Sequence, residues 1–252
     1  MPVPELRIIG VTGIPEVKVG DHIGKLLTEA AARQGTPVQS GDVVAVTQKI
    51  VSKAEGRIVH LSSVKPSALA VSVATQWQKD ARLVEVVLQQ SARIVRMDHG
   101  VVITETKHGL ICANAGVDAS NIPGDDAVAL LPMDPDASAR RIRDEIRAAN
   151  KADVAVLISD SFGRPWREGI TNVAIGVAGM NPMRDYRGTE DSFGHPLRVT
   201  ITAIADELVS AAELVSRKAD MMPVALLRGF EYEVAEGSMK ALLRPAVGDL
   251  FR

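Results

Sequence analysis

The chain carries one cysteine, Cys112, among its 252 residues, so no internal disulfide can form and a reducing cytoplasm suits it. Aromatic side chains make up only 3% of the sequence, which argues against recognition by stacking bases on a ring platform. Neither sign of charge dominates. The 29 basic and 31 acidic residues leave a formal net charge of −2, which is not the balance of a general nucleic-acid or membrane-surface binder. No apolar run approaches the ~20 residues a membrane helix needs. The opening MPVPELRIIG also lacks the basic start and long apolar stretch of a signal peptide. With 46% hydrophobic and 24% charged residues, the chain can still bury a large core, and the expectation is a soluble cytoplasmic protein.

Familiar nucleotide and hydrolase signatures are missing as well. Gly20-Asp21-His22-Ile23-Gly24-Lys25-Leu26 resembles a P-loop but has three residues between its glycines, and Leu26 replaces the metal-binding hydroxyl. It reads as a turn and a helix start. No glycine-rich dinucleotide fingerprint follows a strand, which disfavours a Rossmann dehydrogenase. There is no nucleophile elbow and no zinc-type histidine pair, and His22, His60, His99, His108 and His195 are scattered.

The pattern that remains is one of short strands and amphipathic helices. A strand is expected at Leu6 to Val11, then a helix from Ile23 to Arg33 with Asp21 as its cap. An apolar strand from Val43 to Val46 turns polar at Thr47. Helical pieces run from Ser67 to Lys79 and from Arg82 to Gln90, followed by strands at Arg93 to Met97 and Gly100 to Thr104. Asp134-Pro135 opens a helix with Ile142 and Ile146 facing inward. Further strands are expected at Val154 to Ser159, Val173 to Ala178, Leu197 to Ile201 and Val224 to Leu227, with a helix from Ala203 to Arg217. Hairpin-like and helix-separated strands together point to an α+β fold.

Two polar segments stand out against this background. ETKHGLICANAGVDASN, from Glu105 to Asn121, places Thr106, His108, Asn114, Asp118, Ser120 and Asn121 close together, with Gly109 and Gly116 permitting tight turns. Such a run between apolar segments suggests a binding loop. In VAVLISDSFGRPWREG, an apolar strand from Val154 to Ile158 runs out into Asp160, Ser161, Arg164 and Arg167. Asp160 at a strand end is a position for a ligand-binding group, although a turn-capping role competes. Asp118 can supply a second carboxylate for a hard cation, or it forms a turn within its loop. Arg164 and Arg167 can clamp phosphate or carboxylate, with Pro165 and Trp166 stiffening their segment. Lys49 and Lys53 follow the strand that ends near Val46; either can reach a phosphate, and a plain surface lysine is the competing reading.

Taken in order, the segments resemble the coenzyme F420-0:γ-glutamyl ligase family. The likeness rests on GIPEVKVGD, GDVVAVTQKIVSKAEGRIV, ETKHGLICANAGVDASN, LLPMDPDASARRIR, ISDSFGRPWREG, VAIGVAGMNPMRDYRGTEDSFG, ADELVSAAELV and RPAVGDLFR. It covers essentially the whole chain, and the combination is specific where each piece alone is not. The resemblance implies a ligase that adds L-glutamate to the deazaflavin precursor F420-0, with GTP and Mg²⁺ or Mn²⁺. It implies a mixed-sheet α+β fold of the family's own kind, in two subdomains, forming an intertwined homodimer. Residues 1–252 make one functional unit on this reading, with no nitroreductase-like domain after it. By position, Asp118, Asp160 and Ser161 resemble metal ligands. Ile14, Pro15, Glu16, Val17, Gln48, Lys49, Lys53 and Asn121 resemble nucleotide contacts. Asp118, Asp160 and Arg164 are the candidate catalytic residues.

The sequence departs from the family pattern in places. Ser161 stands where threonine is common, Gln48 where many relatives carry serine, and Lys218 where some archaeal relatives have an acidic or amide metal ligand. A protonated lysine offers no lone pair, so Lys218 cannot serve as such a ligand. Two other readings keep the same residues in play: the same machinery acting on a different acid or amine, and a nucleotide-binding protein without turnover.

Overall fold

The computed structural model describes residues 3–120, 126–216 and 221–249. The chain opens with β1 (Arg7–Gly10) and α1 (Ile23–Arg33). Ile23, Leu27, Ala30 and Ala31 form the buried face of α1, the i, i+4, i+7, i+8 spacing of an amphipathic helix. Its expected cap is corrected: His22 holds the capping position, while the Asp21 carboxylate accepts from the Lys18 amide at 2.8 Å. Glu145 on a later helix takes over, accepting from the Gly24 amide at 2.7 Å. A Cβ on Gly24 would come within 2.6 Å of the Ile142 carbonyl oxygen. The second glycine of the P-loop-like segment therefore serves close helix packing.

Next come β2 (Val43–Thr47), α2 (Gln48–Ala54) and β3 (Ile58–His60). The helices α3 (Ala68–Trp77) and α4 (Ala81–Gln90) follow, and β4 (Ser91–Asp98), β5 (Val101–Thr106), β6 (Ile111–Ala113) and β7 (Ala127–Ala129) come after them. Ser67 caps α3 and Asp80 caps α4. The long helix α5 (Pro135–Asn150) begins as its sequence requires, with the Asp134 carboxylate accepting from Ala137 N at 2.9 Å and Ile142 and Ile146 fully buried.

The chain then forms a long hairpin, β8 (Ala155–Arg164) and β9 (Arg167–Ala178), followed by β10 (Arg184–Asp185), β11 (Ile201–Thr202), α6 (Ile204–Ser216) and β12 (Val224–Arg228). The central sheet has the order β1-β12-β2-β8-β9. Only the β2–β8 pair within it is parallel, with Val46 opposite Ile158 and Thr47 opposite Ser159. The near-continuous burial of β2 and of the first half of β8, Ala155 to Ser159, is that of strands covered on both faces. Helices α5 and α6 pack against this sheet, and α1 packs against α5. The architecture is α+β with mixed strand pairing. Three smaller apolar clusters, around Leu61 and Val128, Val73 and Val84, and Val87 and Val102, support β3–β7 and β4–β5–β6.

Three further expectations need correction. Asp160 is not at a strand end, because β8 continues to Arg164 and pairs with β9 up to a turn at Pro165-Trp166. Lys49 and Lys53 lie on a helix instead of a strand-end loop, since Gln48–Ala54 buries Ile50, Val51 and Ala54. The strand expected at Leu197 to Ile201 is confined to Ile201–Thr202, and the residues before it form an exposed excursion.

Candidate active site

A cavity of about 610 Å³ opens where β2 ends at Thr47, beside Ser159 in the middle of the parallel strand β8. The end of β2 and the neighbouring residues of β8 present polar groups to this crevice. Four walls carry its polar groups, and Met221, Met222 and Pro223 add to the lining.

The first is Ile14-Pro15-Glu16-Val17, between β1 and α1. Ile14 and Val17 are buried in the main core and anchor the segment. Glu16 is half exposed, and its carboxylate accepts from Lys53 Nζ at 2.6 Å. The second is α2. Lys49 and Lys53 are four residues apart, so they share one helix face, and both line the cavity. The Lys53 side chain is only 13% exposed, which sets aside the plain surface reading. Gln48 is buried, and its side-chain oxygen accepts from Ser52 Oγ at 2.8 Å. Ser52 Oγ in turn lies 2.7 Å from the Leu130 carbonyl oxygen.

The third wall is the turn after β6. Asn114, Ala115 and Gly116 all have positive φ, and a Cβ on Gly116 would meet Leu131 at 2.8 Å. This tight bend delivers Asp118, which then pairs its backbone with Ala129. Ser120 N donates to Asp118 Oδ1 at 2.7 Å, and Lys49 Nζ lies 2.8 Å from Asp118 Oδ2. Burial pushes the Asp118 carboxyl up, but hydrogen bonds from Lys49 and Ser120 more than offset this and hold it below the usual carboxylate range. Thr106 and His108, in the same polar run, hold the loop itself. Thr106 Oγ1 accepts from two backbone amides, and His108 Nε2 lies 2.9 Å from the Pro132 carbonyl oxygen.

The fourth wall is the β8–β9 hairpin with α6. The β8–β9 register slips between Ile158 and Ser159, and such bulges re-aim side chains beside functional sites. Ser159, Asp160 and Ser161 follow and line the cavity. Cys112 on β6 reports the position of Asp160: its thiol is pushed up to about 12, first by burial and then by the Asp160 charge. Opposite Ser161 sits Asn172, and Glu213 on α6 completes the wall.

The cavity therefore gathers Ile14, Pro15, Glu16, Val17, Gln48, Lys49, Lys53, Asp118, Asp160 and Ser161. Arg164 is placed elsewhere, at the exposed end of the hairpin, where its guanidinium donates to the Glu168 carbonyl oxygen. Asn121 and Lys218 lie outside the described residues. Asn172 and Glu213 escaped the sequence reading. Glu213 left one signal: it continues the Ala205–Val209 register of α6, beside buried Ala212 and Ser216, where a carboxylate interrupts the apolar stripe.

Among the described residues, the carboxylate, hydroxyl and amide oxygens of the third and fourth walls come without imidazole or thiolate in the lining, a donor set for a hard cation such as Mg²⁺ or Mn²⁺. Among the described residues, no three His, Cys, Asp or Glu side chains gather into a metal cluster. One or two carboxylates supplemented by substrate phosphates is the usual Mg²⁺ arrangement. Among the described residues, no helix is long and apolar enough to cross a membrane.

Comparison with known proteins places the chain in a family. Residues 12–229 match the family described as F420-0:Gamma-glutamyl ligase. Proteins named Coenzyme F420:L-glutamate ligase are similar over the full length. The one from Methanothermobacter thermautotrophicus is 43% identical, covering 98% of this chain and 99% of its own. Those from Methanopyrus kandleri and Methanocaldococcus jannaschii are 43% and 40% identical, with at least 98% of each chain covered. By this match, the chain belongs to the F420-0:γ-glutamyl ligase family.

Proposed function

We propose that the protein joins L-glutamate to coenzyme F420-0 through an amide bond, using GTP and a divalent cation, Mg²⁺ or Mn²⁺. The observation that carries this reading is the meeting of Lys49 and Lys53 with Asp118 and Asp160 around one cavity, in a chain similar end to end to proteins named as such ligases. Amide formation requires an activated carboxylate. Transfer of the terminal phosphoryl group to the acid gives an acyl phosphate and a nucleoside diphosphate. The amine then attacks the acyl carbon, phosphate departs with the C–O electron pair, and the nitrogen gives up a proton.

The side chains have little covalent work in this scheme; they position and neutralise. Lys53, steered by Glu16, faces the nucleotide phosphates together with Lys49. Asp118, Asp160 and Ser161 would hold the cation, which serves as Lewis acid and template for the phosphates. Lys49 neutralises Asp118; with that carboxylate turned to the cation instead, the Lys49 ammonium would be available to phosphate oxygens. Ile14, Pro15, Val17 and Gln48 shape the nucleotide end of the cavity.

The two-subdomain, intertwined homodimer belongs to the same proposal. It is supported by the separate small cores and by exposed Trp166, Phe193 and Val199 on projecting segments. Arg164, on one such projection, then serves the cavity of the second copy. Release of phosphate from GTP, tested by omitting glutamate, F420-0 and Mn²⁺ in turn, checks the scheme. Release that needs all three supports it; release indifferent to glutamate and F420-0 refutes it.

A further inference from the structure

The fourth wall contains a hydrogen-bond chain that reaches Ser161 through two residues the scheme above does not use. Ser161 and Asn172 are direct cross-strand neighbours in the hairpin, and Ser161 Oγ donates to Asn172 Oδ1 at 2.8 Å. Asn172 Nδ2 donates to Glu213 Oε2 at 3.0 Å. All three side chains line the cavity.

The direction of this chain is fixed by chemistry. A carboxylate only accepts, so the amide must turn its NH₂ group to Glu213 and its carbonyl oxygen to Ser161. The carbonyl also only accepts, so the Ser161 hydroxyl must send its proton to Asn172 and present itself as an acceptor in every other direction. A neutral hydroxyl can bind a cation only in that state, because its proton must point away from the metal. Asn172 is fixed a second time, since Ser210 Oγ donates to its backbone carbonyl at 2.7 Å. Ser210 and Glu213 are three residues apart on one face of α6. The helix thus grips the residue opposite Ser161 at both main chain and side chain.

We propose that Glu213 is a positioning residue: acting through Asn172, it locks the Ser161 hydroxyl with its lone pairs toward the cation. The inference rests on the reading of Ser161 as a cation-facing group. It deepens that reading by adding two residues, Asn172 and Glu213, whose effect passes through a hydrogen-bonded relay. Outer partners of this kind commonly set affinity as well as orientation.

The test is Mn²⁺ affinity of the purified full chain, followed by electron paramagnetic resonance in the presence of GDP, with melting temperature recorded for each variant. Glu213→Leu and Asn172→Leu are each expected to weaken Mn²⁺ binding by ~10–100-fold. The double variant should lose no more than either alone, because both act through one relay. Glu213→Gln should stay within about threefold of wild type, since its carbonyl oxygen still accepts from Asn172 Nδ2. Two results overturn the inference alone: Glu213→Leu binding as wild type does, or Glu213→Gln losing as much as Ser161→Ala, which would make Glu213 a direct charge partner. Should Glu213→Leu not fold, the comparison of Glu213→Gln with Ser161→Ala still decides. Wild type that fails to bind Mn²⁺ refutes the cation reading itself and the inference with it.

Discussion

Lys49 Nζ lies 2.8 Å from Asp118 Oδ2, joining the first turn of α2 to the turn after β6 in the wall of the cavity. This pair makes the site pH-dependent in a definite direction. The Asp118 carboxyl is held low despite its burial, so its contribution to stability is present above the ordinary carboxylate range. That contribution is lost as pH falls through the lowered folded value. Lys49→Met leaves burial opposed only by Ser120. Wild type should therefore exceed this variant in urea midpoint at pH 7, and the difference should shrink as the solution is acidified toward pH ~3. A difference that stays constant across this range would separate Asp118 titration from Lys49.

Lys53 is held by Glu16 within a mostly covered position. Removing it as Lys53→Ala should weaken GTP binding by roughly 1.5–3 kcal/mol, the worth of a charged hydrogen bond, or about 10–150-fold. Calorimetric titration measures this directly. Unchanged affinity would return Lys53 to a structural role.

Cys112 lies buried on β6, with its thiol pushed up to about 12 by burial and then by Asp160. The thiolate is the reactive form, so iodoacetamide at pH 8 should leave the folded protein unmodified and label it only after denaturation. Rapid labelling of the native chain would contradict the packing of β6 against β8.

Arg164 projects from the hairpin end, and its proposed service to a second copy can be tested by complementation. Arg164→Ala and Asp160→Asn should each be inactive alone. Denatured and refolded together, they should regain activity, because one cavity of each mixed dimer then holds both native side chains. Absence of recovery, with mixed dimers demonstrated, would exclude service in trans.

Much of this organisation is legible in the sequence, and the gaps have physical causes. The span of α1 and the start of α5 follow from local chemistry: apolar spacing in one, Asp134-Pro135 in the other. The cap of α1 does not, because Glu145 reaches it from 121 residues away. Asp160 and Ser161 stand out as polar residues after an apolar strand, yet the continuation of β8 depends on pairing with β9, which no local window contains. Lys49 and Lys53 become cavity residues only once α2 forms. Its seven residues are too few to be helical by propensity alone, and packing of Ile50 and Val51 into the core makes the difference. Asn172 shows no local signal, since its role comes from facing Ser161 across the hairpin.

The most direct measurement of the central claim is mass spectrometry of F420-0 after incubation with the purified protein, GTP, L-glutamate and Mn²⁺. The account predicts addition of glutamyl residues with one GDP formed per addition. It further predicts loss of that product by more than ~10²-fold in folded Asp118→Asn and Asp160→Asn. F420-0 recovered unaltered by wild type under saturating substrates, or product formed at near-normal rate by folded Asp160→Asn, would contradict it.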